Sequence, residues 1–292
     1  MVTLNNYFDT PEFNDAVVGF CEHKKQIPVL REVNDKLNGF FCEMALATTS
    51  HPEIKYTIQR VQYQYHLQRI SEINSSLILC LREEKYISVE ALSRVSLEST
   101  VNFLYLLGEE DNERASGFLK GYFKKNKYKA RKWLEHSLET EDQKGIEQSS
   151  RLLESMDNGL ASLQHKKNSK LKMWPDTIVQ KFSAVNLKGA YFTLFASSSD
   201  SVHHGAEDVY NRTIVEQLDK KEKDKAIKYM MAENASFAIY LAVCSIEYSA
   251  EVFREFCHKL KEEKYLDALS RIQEKLYALH MAHENHHVDL FK

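Results

Sequence analysis

Apolar residues recur along most of this chain at steps of three and four, the period of helices that bury one face. One stripe spans residues 29–41. A longer stripe spans residues 54–81, on a helix that Pro52 opens. The segment from Ser88 to Leu107 is apolar on most of its circumference and is followed by Gly108, a residue typical of helix C-termini. We therefore expect this last segment to form the central helix of a bundle.

The helical pattern continues through the second half of the chain. Residues 110–172 predict a peripheral helical hairpin followed by a basic loop, and Trp174–Pro175 predicts the start of another helix. Residues 187–198 also have a helical pattern. The remainder predicts two long helices, roughly 222–261 and 263–284.

The low content of glycine and proline supports long helices. The chain has 9 Gly and 4 Pro in 292 residues, and both residue types punctuate folds built from short strands and tight turns. No segment alternates as a strand does, and no internal repeat is visible. We predict an all-α fold, a single helical domain over residues 1–292 built as a multi-helix bundle with long antiparallel helices.

Composition also bears on location and partners. The net charge of −3 gives no global attraction to nucleic acid or to an anionic membrane, so such a contact needs a local patch. Five scattered cysteines without a C-x-x-C pair are typical of reduced thiols. The N-terminus lacks a secretory pattern, and the longest apolar run, residues 235–246, is short of the roughly 20 residues of a membrane span. We expect a cytoplasmic protein without a membrane contact.

The most informative polar residues lie on the expected central helix. Arg94, Glu98, Asn102 and Tyr105 follow one another at spacings of four, four and three, so they share one face. Their neighbours are apolar, and a buried charge must be paired or used. Two interpretations stay open: an Arg94–Glu98 ion pair that braces the bundle, with Asn102 bonded to a neighbouring backbone, or the floor of a polar pocket with Tyr105 at its rim.

A second candidate is the polar run over residues 197–205. If a helix continues through it, Ser199 faces His203 and Asp200 faces His204, and such partners can orient an imidazole for acid–base chemistry. The alternative is a helix end, where the serines and Asp200 satisfy backbone groups and the two histidines are exposed.

These two stretches resemble an uncharacterised bacterial helical family, a domain of unknown function numbered five-six-seven-seven. The resemblance covers about residues 60–215. It implies an all-α fold and a place among defence or toxin-like genes, without an established reaction. The residues that carry it are Arg94, Glu98, Asn102 and Tyr105, then Trp174–Pro175–Asp176, Tyr191, and the S-x-x-x-H pair Ser199 and His203.

A further motif, R-x(4–6)-H, resembles that of the HEPN ribonucleases. Two matches occur, Arg60 with His66 and Arg131 with His136. Chance alone predicts roughly one or two matches in a chain of this composition. The resemblance implies metal-independent RNA cleavage, with His136 near the 2′-hydroxyl and Arg131 on the phosphate.

The second of these pairs lies in a basic segment that contains aromatic residues. Basic side chains contact phosphates and aromatic rings stack on bases, so the segment predicts RNA as a partner. The alternative is an exposed basic helix whose aromatics turn to the core. The residues concerned are Lys124, Lys125, Lys127, Lys129, Arg131 and Lys132, interleaved with Phe123, Tyr128 and Trp133.

Near the end of the sequence, His283, Glu284 and His287 form an H-E-x-x-H pattern, which on a helix can hold zinc. The pattern lies within ten residues of the end of the sequence, so we do not expect a downstream third ligand or supporting residues for a metal site. We expect a frayed, histidine-rich tail and no metal. No glycine-rich phosphate loop or nucleophile elbow is present, and we expect no cofactor.

Taken together, the sequence predicts a HEPN-like or otherwise RNA-directed effector, a ribonuclease or toxin of bacterial phage defence that acts on RNA with a partner protein of the defence system. The alternative is a non-catalytic helical protein that recognises a small ligand or a partner protein. A homodimer through one long C-terminal helix is also expected. The catalytic candidates are Arg94, Glu98, His203, His204, Arg131 and His136, and the binding candidates are Asn102, Tyr105, Lys125, Lys129, Lys132 and Trp133.

Overall fold

The computed structural model describes residues 8, 10–108, 112–163, 174–196 and 206–287. Within these ranges the chain is all-α and has no strand, as predicted. Short 3₁₀ helices occur at His23–Gln26 and Glu263–Tyr265. The other helices, in chain order, are α1 Pro11–Glu22, α2 Ile27–Ala47, α3 Thr57–Arg82, α4 Tyr86–Leu107, α5 Glu113–Glu139, α6 Gln143–Leu163, α7 Ile178–Ala184, α8 Lys188–Ala190, which continues as a π-helical turn over Tyr191–Ala196, α9 Ala206–Val215, α10 Lys220–Leu260 and α11 Leu266–His287.

The core forms around α10, and α4 packs along it. The main apolar cluster unites α2, α3, α4, α10 and α11, as the rings of Phe41, Phe103 and Phe253 illustrate. A second, smaller cluster lies on another side of α4, where Leu97 and Val101 meet the segment from α7 to the π-helical turn. Because α4 contributes to both clusters, it is buried on most of its circumference, as its sequence predicted.

The helix α10 is long and apolar enough to cross a membrane by length and hydropathy alone. In the structure, 72% of its most apolar window is buried inside the fold. The core helix of a soluble bundle passes the same test, so α10 is weak evidence for a membrane contact. The buried residues of α10 lie mainly between Ala232 and Leu260, whereas most residues of its first turns are exposed or partly exposed.

A buried polar network sets the register of three core helices. The side-chain oxygen of Asn74 on α3 accepts a hydrogen bond from Ser96 on α4 at 2.6 Å, and its amide nitrogen donates to Ser249 on α10 at 3.0 Å. All three residues are buried. Buried polar groups are costly unless they are paired, so this network favours one alignment of α3 against α4. That alignment places the polar faces of the two helices opposite each other.

The helices α5 and α6 form the predicted hairpin. Glu141 takes a left-handed conformation at the turn between them, and Lys127 pairs with Asp157 across the hairpin. At its beginning α5 reaches the bundle, where Gln62 on α3 donates to the carbonyl of Ala115 at 2.8 Å. The hairpin is therefore anchored to α3 at one end of α5. The predicted basic loop after it lies outside the described residues.

Two predicted helix starts are wrong, and one of them changes which face of α3 is buried. Pro52 lies in a turn, and α3 begins at Thr57. Because Ile54 is buried within that turn, the stripe predicted from it does not continue in phase, and Val61 and Tyr65 are 59% and 47% exposed. Pro175 likewise precedes α7, which begins at Ile178 behind a capping box from Thr177.

Candidate functional site

A cavity of about 250 Å³ opens between α3, α4 and the first turns of α5. Residues three and four apart on α3 face residues three and four apart on α4, so each helix presents a short row of side chains to the cavity. One aromatic ring of α5 closes a side. The lining residues are Tyr65, His66 and Arg69 from α3, Val95, Glu98, Ser99 and Asn102 from α4, and Phe118 from α5.

His66 is the most unusual residue of this cavity. It is only 2% exposed, and its ring stacks on Phe103 at 5.5 Å with 10° between the planes. Neither ring nitrogen has a hydrogen-bond partner among the residues that the structure describes. Burial, with a smaller contribution from the charge of Arg69, lowers the pKa of His66 to about 4. At neutral pH the ring is therefore uncharged, and it offers one N–H donor and one acceptor nitrogen to whatever enters.

Arg69 supplies a positive charge at the same cavity. Its Nε donates to Ser99 Oγ at 3.2 Å, and its Nη1 donates to the Tyr65 hydroxyl at 3.0 Å. A guanidinium has five N–H groups, so three remain for other acceptors. The two bonds hold the planar group in place, which prepares it for an anionic or carbonyl oxygen.

The α4 side contributes acceptors. The Glu98 carboxylate lies 3.7 Å from the ammonium of Lys181 on α7, and Asn102 Oδ1 is buried with no hydrogen-bond partner within the described ranges. Burial lowers the pKa of Lys181, while Glu98 opposes this shift and the charge of Lys125 adds to it. The cavity thus combines a cation and a carboxylate with a neutral imidazole and an unpaired amide oxygen.

Only half of the predicted polar stripe on α4 lines this cavity. Glu98 and Asn102 do, as the pocket interpretation expected. The guanidinium of Arg94 lies over the ring of Phe195 at 4.5 Å. Tyr105 is buried, edge-on to Trp174 at 5.0 Å, and forms no rim. The ion pair that Glu98 makes is with Lys181, whereas the bracing interpretation placed it with Arg94.

The α3 side of the cavity was not predicted. The sequence feature that could have indicated this side is a histidine and an arginine three residues apart, His66 and Arg69, on a helix with a buried apolar stripe. The R-x(4–6)-H motif instead paired His66 with Arg60. Arg60 donates to the carbonyl of Ile54 at 2.8 Å and does not line the cavity, so the structure joins His66 to a different arginine.

The basic segment lies on the outer surface of α5. Tyr128 is 64% exposed and Trp133 is 40% exposed, so these two aromatics do not turn to the core as the alternative interpretation expected. Lys125, Lys129 and Lys132 are exposed beside them, and Lys132 also pairs with Glu135 at 2.7 Å. Tyr128 and Trp133 are five residues apart, so their rings point about 140° apart around the helix axis, and the three lysines lie between these two directions. The outer face thus presents cationic groups flanked by two aromatic rings.

The other predicted pair on α5 diverges. Arg131 and His136 are both exposed, and five helical residues separate their directions by about 140° around the axis. No second element described in the structure brings them together. Their shared role in catalysis stays a prediction.

The cavity and the outer face of α5 are continuous. Seven residues return a helix to nearly the same direction, so Phe118, Lys125 and Lys132 form one stripe with steps of about 10 Å. The ring of Phe118 also packs on the ring of Trp174 at 4.9 Å, and the ammonium of Lys181 lies 5.8 Å from the centre of the Trp174 ring. Lys125 is near enough to Lys181 to lower its pKa. Positive charge therefore extends from the mouth of the cavity along α5.

His203 and His204, with the rest of the polar run over residues 197–205, lie outside the described residues. Their predicted acid–base role stays a prediction.

The expectation of a frayed tail at His283 is wrong for that residue. Its ring is fully buried, lies 3.8 Å from that of His23, and its Nε2 is 2.8 Å from Gln26 Oε1. The helix α11 continues past His283 because the ring of this residue packs against the 3₁₀ helix His23–Gln26. Elsewhere on α10 and α11, Cys244, Glu247 and His280 form a group that could hold a metal ion, with ligand atoms within 4.8 Å of one another.

The sequence model of a family described as a family of unknown function (DUF5677) matches residues 64–224, just over half of the chain. This confirms the resemblance carried by the polar stripe of α4. No curated protein and no solved structure matches the chain. The matched range contains every residue that lines the cavity and the whole basic face of α5. The likeness to the HEPN ribonucleases stays a prediction.

Proposed function

We propose that this chain, which belongs to the DUF5677 family of unknown function, is an RNA-directed effector that holds single-stranded RNA along the outer face of α5. The observation that carries the proposal is the outward position of Tyr128 and Trp133 among exposed lysines. Rings that serve only the packing of a helix lie against the core. Exposed rings beside cations can stack on unpaired bases while the cations contact phosphates.

The local charge supports this proposal although the whole chain is slightly acidic. Residues 120–133 contain seven Lys or Arg and no Asp or Glu, against a net charge of −3 for the chain. Within the described part of the chain, two of the seven have acidic partners, since Lys127 pairs with Asp157 and Lys132 with Glu135. If about three phosphates are contacted, the logarithm of the affinity should fall with the logarithm of the salt concentration with a slope near −2.

Charge reversal on this face is the direct test. A variant with Lys125→Glu, Lys129→Glu and Lys132→Glu should bind a labelled RNA of about 12 nucleotides at least tenfold more weakly in filter binding at low salt. A matched control changes three exposed lysines of other helices and turns to Glu, at Lys36, Lys55 and Lys85. It alters the net charge equally and should retain the affinity. Equal affinity of the two variants would overturn the proposal.

Replacement of the rings separates stacking from charge. Tyr128→Ala and Trp133→Ala leave the net charge unchanged, and each should weaken binding by about 5-fold or more if its ring stacks on a base. The exposed Tyr277 on α11 is the matched control, because Tyr277→Ala removes a ring of similar exposure elsewhere. If the α5 variants bind as the control does, the rings do not contact RNA.

Whether the effector also cleaves RNA is tested by incubation with total RNA. We propose that His136, or His203 together with His204, provides the acid–base group. Cleavage that is lost in His136→Ala, or in the double variant His203→Ala with His204→Ala, would assign the group. A protein that binds RNA but leaves it intact would restrict the function to binding.

A second candidate function is that of a non-catalytic protein that recognises a small ligand. It is supported by the cavity between α3 and α4, where buried polar atoms of His66 and Asn102 have no partner in the described part of the chain. This candidate function would be supported if a small polar compound raises the Tm of the protein and if the protein shows no measurable affinity for RNA.

A further inference from the structure

We infer that the cavity between α3 and α4 receives one base of the bound RNA strand, and that it prefers bases that carry an exocyclic amino group. This inference rests on the proposed binding of RNA to α5. A volume of about 250 Å³ lies below the roughly 300–1,000 Å³ of sites for drug-sized ligands, so the cavity suits a single ring system.

The unpaired atoms of the cavity fit the edge of a base. The neutral ring of His66 offers one donor and one acceptor, and Asn102 Oδ1 offers an acceptor. A nucleobase presents donors and acceptors side by side in one plane, whereas an inorganic anion presents only acceptors. A base can therefore satisfy atoms that the described residues of the protein leave unpaired.

The acceptors determine which bases fit best. Glu98 and Asn102 both offer oxygen atoms on the α4 side. A carboxylate accepts from the amino group of cytosine, and adenine and guanine carry comparable donors. Uracil has carbonyl oxygens in place of that amino group, so its oxygen would face the carboxylate of Glu98. We expect AMP and CMP to bind more tightly than UMP.

The walls and the mouth of the cavity fit the rest of a nucleotide. Phe118 and Tyr65 provide aromatic surface for the base. Three N–H groups of Arg69 remain for a phosphate, and Lys181 and then Lys125 continue the positive charge toward the outer face of α5. A strand lying on that face can thus place one base in the cavity without leaving the cationic path.

Binding of mononucleotides isolates the cavity from the α5 face. Isothermal titration should give AMP and CMP at least tenfold tighter binding than UMP, and inorganic phosphate should bind weakest. Asn102→Ala should weaken AMP binding at least fivefold, and Arg69→Gln should reduce it similarly by removing the phosphate contact. The control charge reversal at Lys36, Lys55 and Lys85, which do not line the cavity and do not lie on α5, should leave the Kd of AMP within about twofold.

The outcomes separate this inference from the proposed function. If RNA binds through α5 but AMP binding is absent, equal to that of UMP, or unchanged in Asn102→Ala, the cavity is not a base site and the inference fails alone. If mononucleotides bind in the cavity while RNA does not bind, both the proposed function and the inference fail in favour of a small-ligand protein. Circular dichroism and the Tm of Asn102→Ala establish that the variant is folded.

Discussion

Replacing His66 by Phe should make the stability of this fold less sensitive to acid. Burial lowers the pKa of His66 from 6.5 to about 4, and Arg69 adds to the shift. Between these two pKa values the unfolded chain takes up a proton that the folded chain excludes. The contribution of His66 to the stability is therefore fully present above about pH 6.5 and is lost as the pH falls toward 4. The complete loss is on the order of 3 kcal/mol, at about 1.4 kcal/mol for each unit of pKa shift.

About 2 kcal/mol of this loss falls between about pH 7.5 and about pH 5. Urea unfolding followed by circular dichroism at these two pH values measures it. The wild-type protein should lose about 2 kcal/mol more than His66→Phe over this interval. A planar ring of similar size keeps the stacking on Phe103, so the variant should fold.

The matched control is His258→Phe, because His258 is exposed on the core helix α10. It should lose as much stability on acidification as the wild-type protein does. The reasoning is refuted if His66→Phe loses stability in parallel with the wild-type protein, since His66 would then be protonated in the folded chain or be partnered there. A difference shared by both variants would likewise exclude a specific role of His66.

Two further pairs of variants test the packing that frames the site. A Cβ at Gly159 would lie 2.5 Å from the ring of Phe123, so Gly159→Ala should lower the free energy of unfolding by about 1–3 kcal/mol. A Cβ at Gly39 would meet open space, so Gly39→Ala should raise the free energy of unfolding by about 0.5–1 kcal/mol. Urea unfolding measures both changes. The buried hydroxyl of Tyr63 has no partner among the described residues, and burial raises its pKa to about 12, so Tyr63→Phe should leave the Tm unchanged or raise it. Tyr265→Phe should lower the Tm, because its hydroxyl donates to a carboxylate at 2.9 Å.

The sequence predicted the α4 half of the cavity because that half depends on spacing within one helix. Glu98 and Asn102 are four residues apart on an otherwise apolar segment, and a helix places them on one face whatever packs against it. The fold class followed for a similar reason, since stripes of three and four and scarce glycine and proline are local properties. Such local regularities need no knowledge of the partner helix.

The α3 half could not be predicted, because it depends on which helices pair and in what register. Tyr65 falls within the stripe predicted from Ile54, yet it is exposed in the structure. Ile54 lies in the turn before α3, so it does not fix which face of the helix is buried, and no residue nearby indicates this change. The Asn74 network then sets α3 against α4 through contacts 22 and 175 residues apart in the chain. Only this tertiary alignment brings His66 and Arg69 opposite Glu98.

Two buried polar residues on α3, Asn74 and His66, differ in whether their polar atoms have hydrogen-bond partners, and this difference distinguishes a structural role from a functional one. Asn74 has its donor and its acceptor satisfied, and it serves the register of the core. His66, two turns earlier, has neither nitrogen satisfied by a described residue and faces a cavity, although an apolar ring there would avoid the cost of unpaired groups. A polar group that weakens the fold and also lines a cavity is better explained by a ligand than by packing. On this ground the base site proposed for the cavity accounts for His66, whereas a purely structural bundle does not.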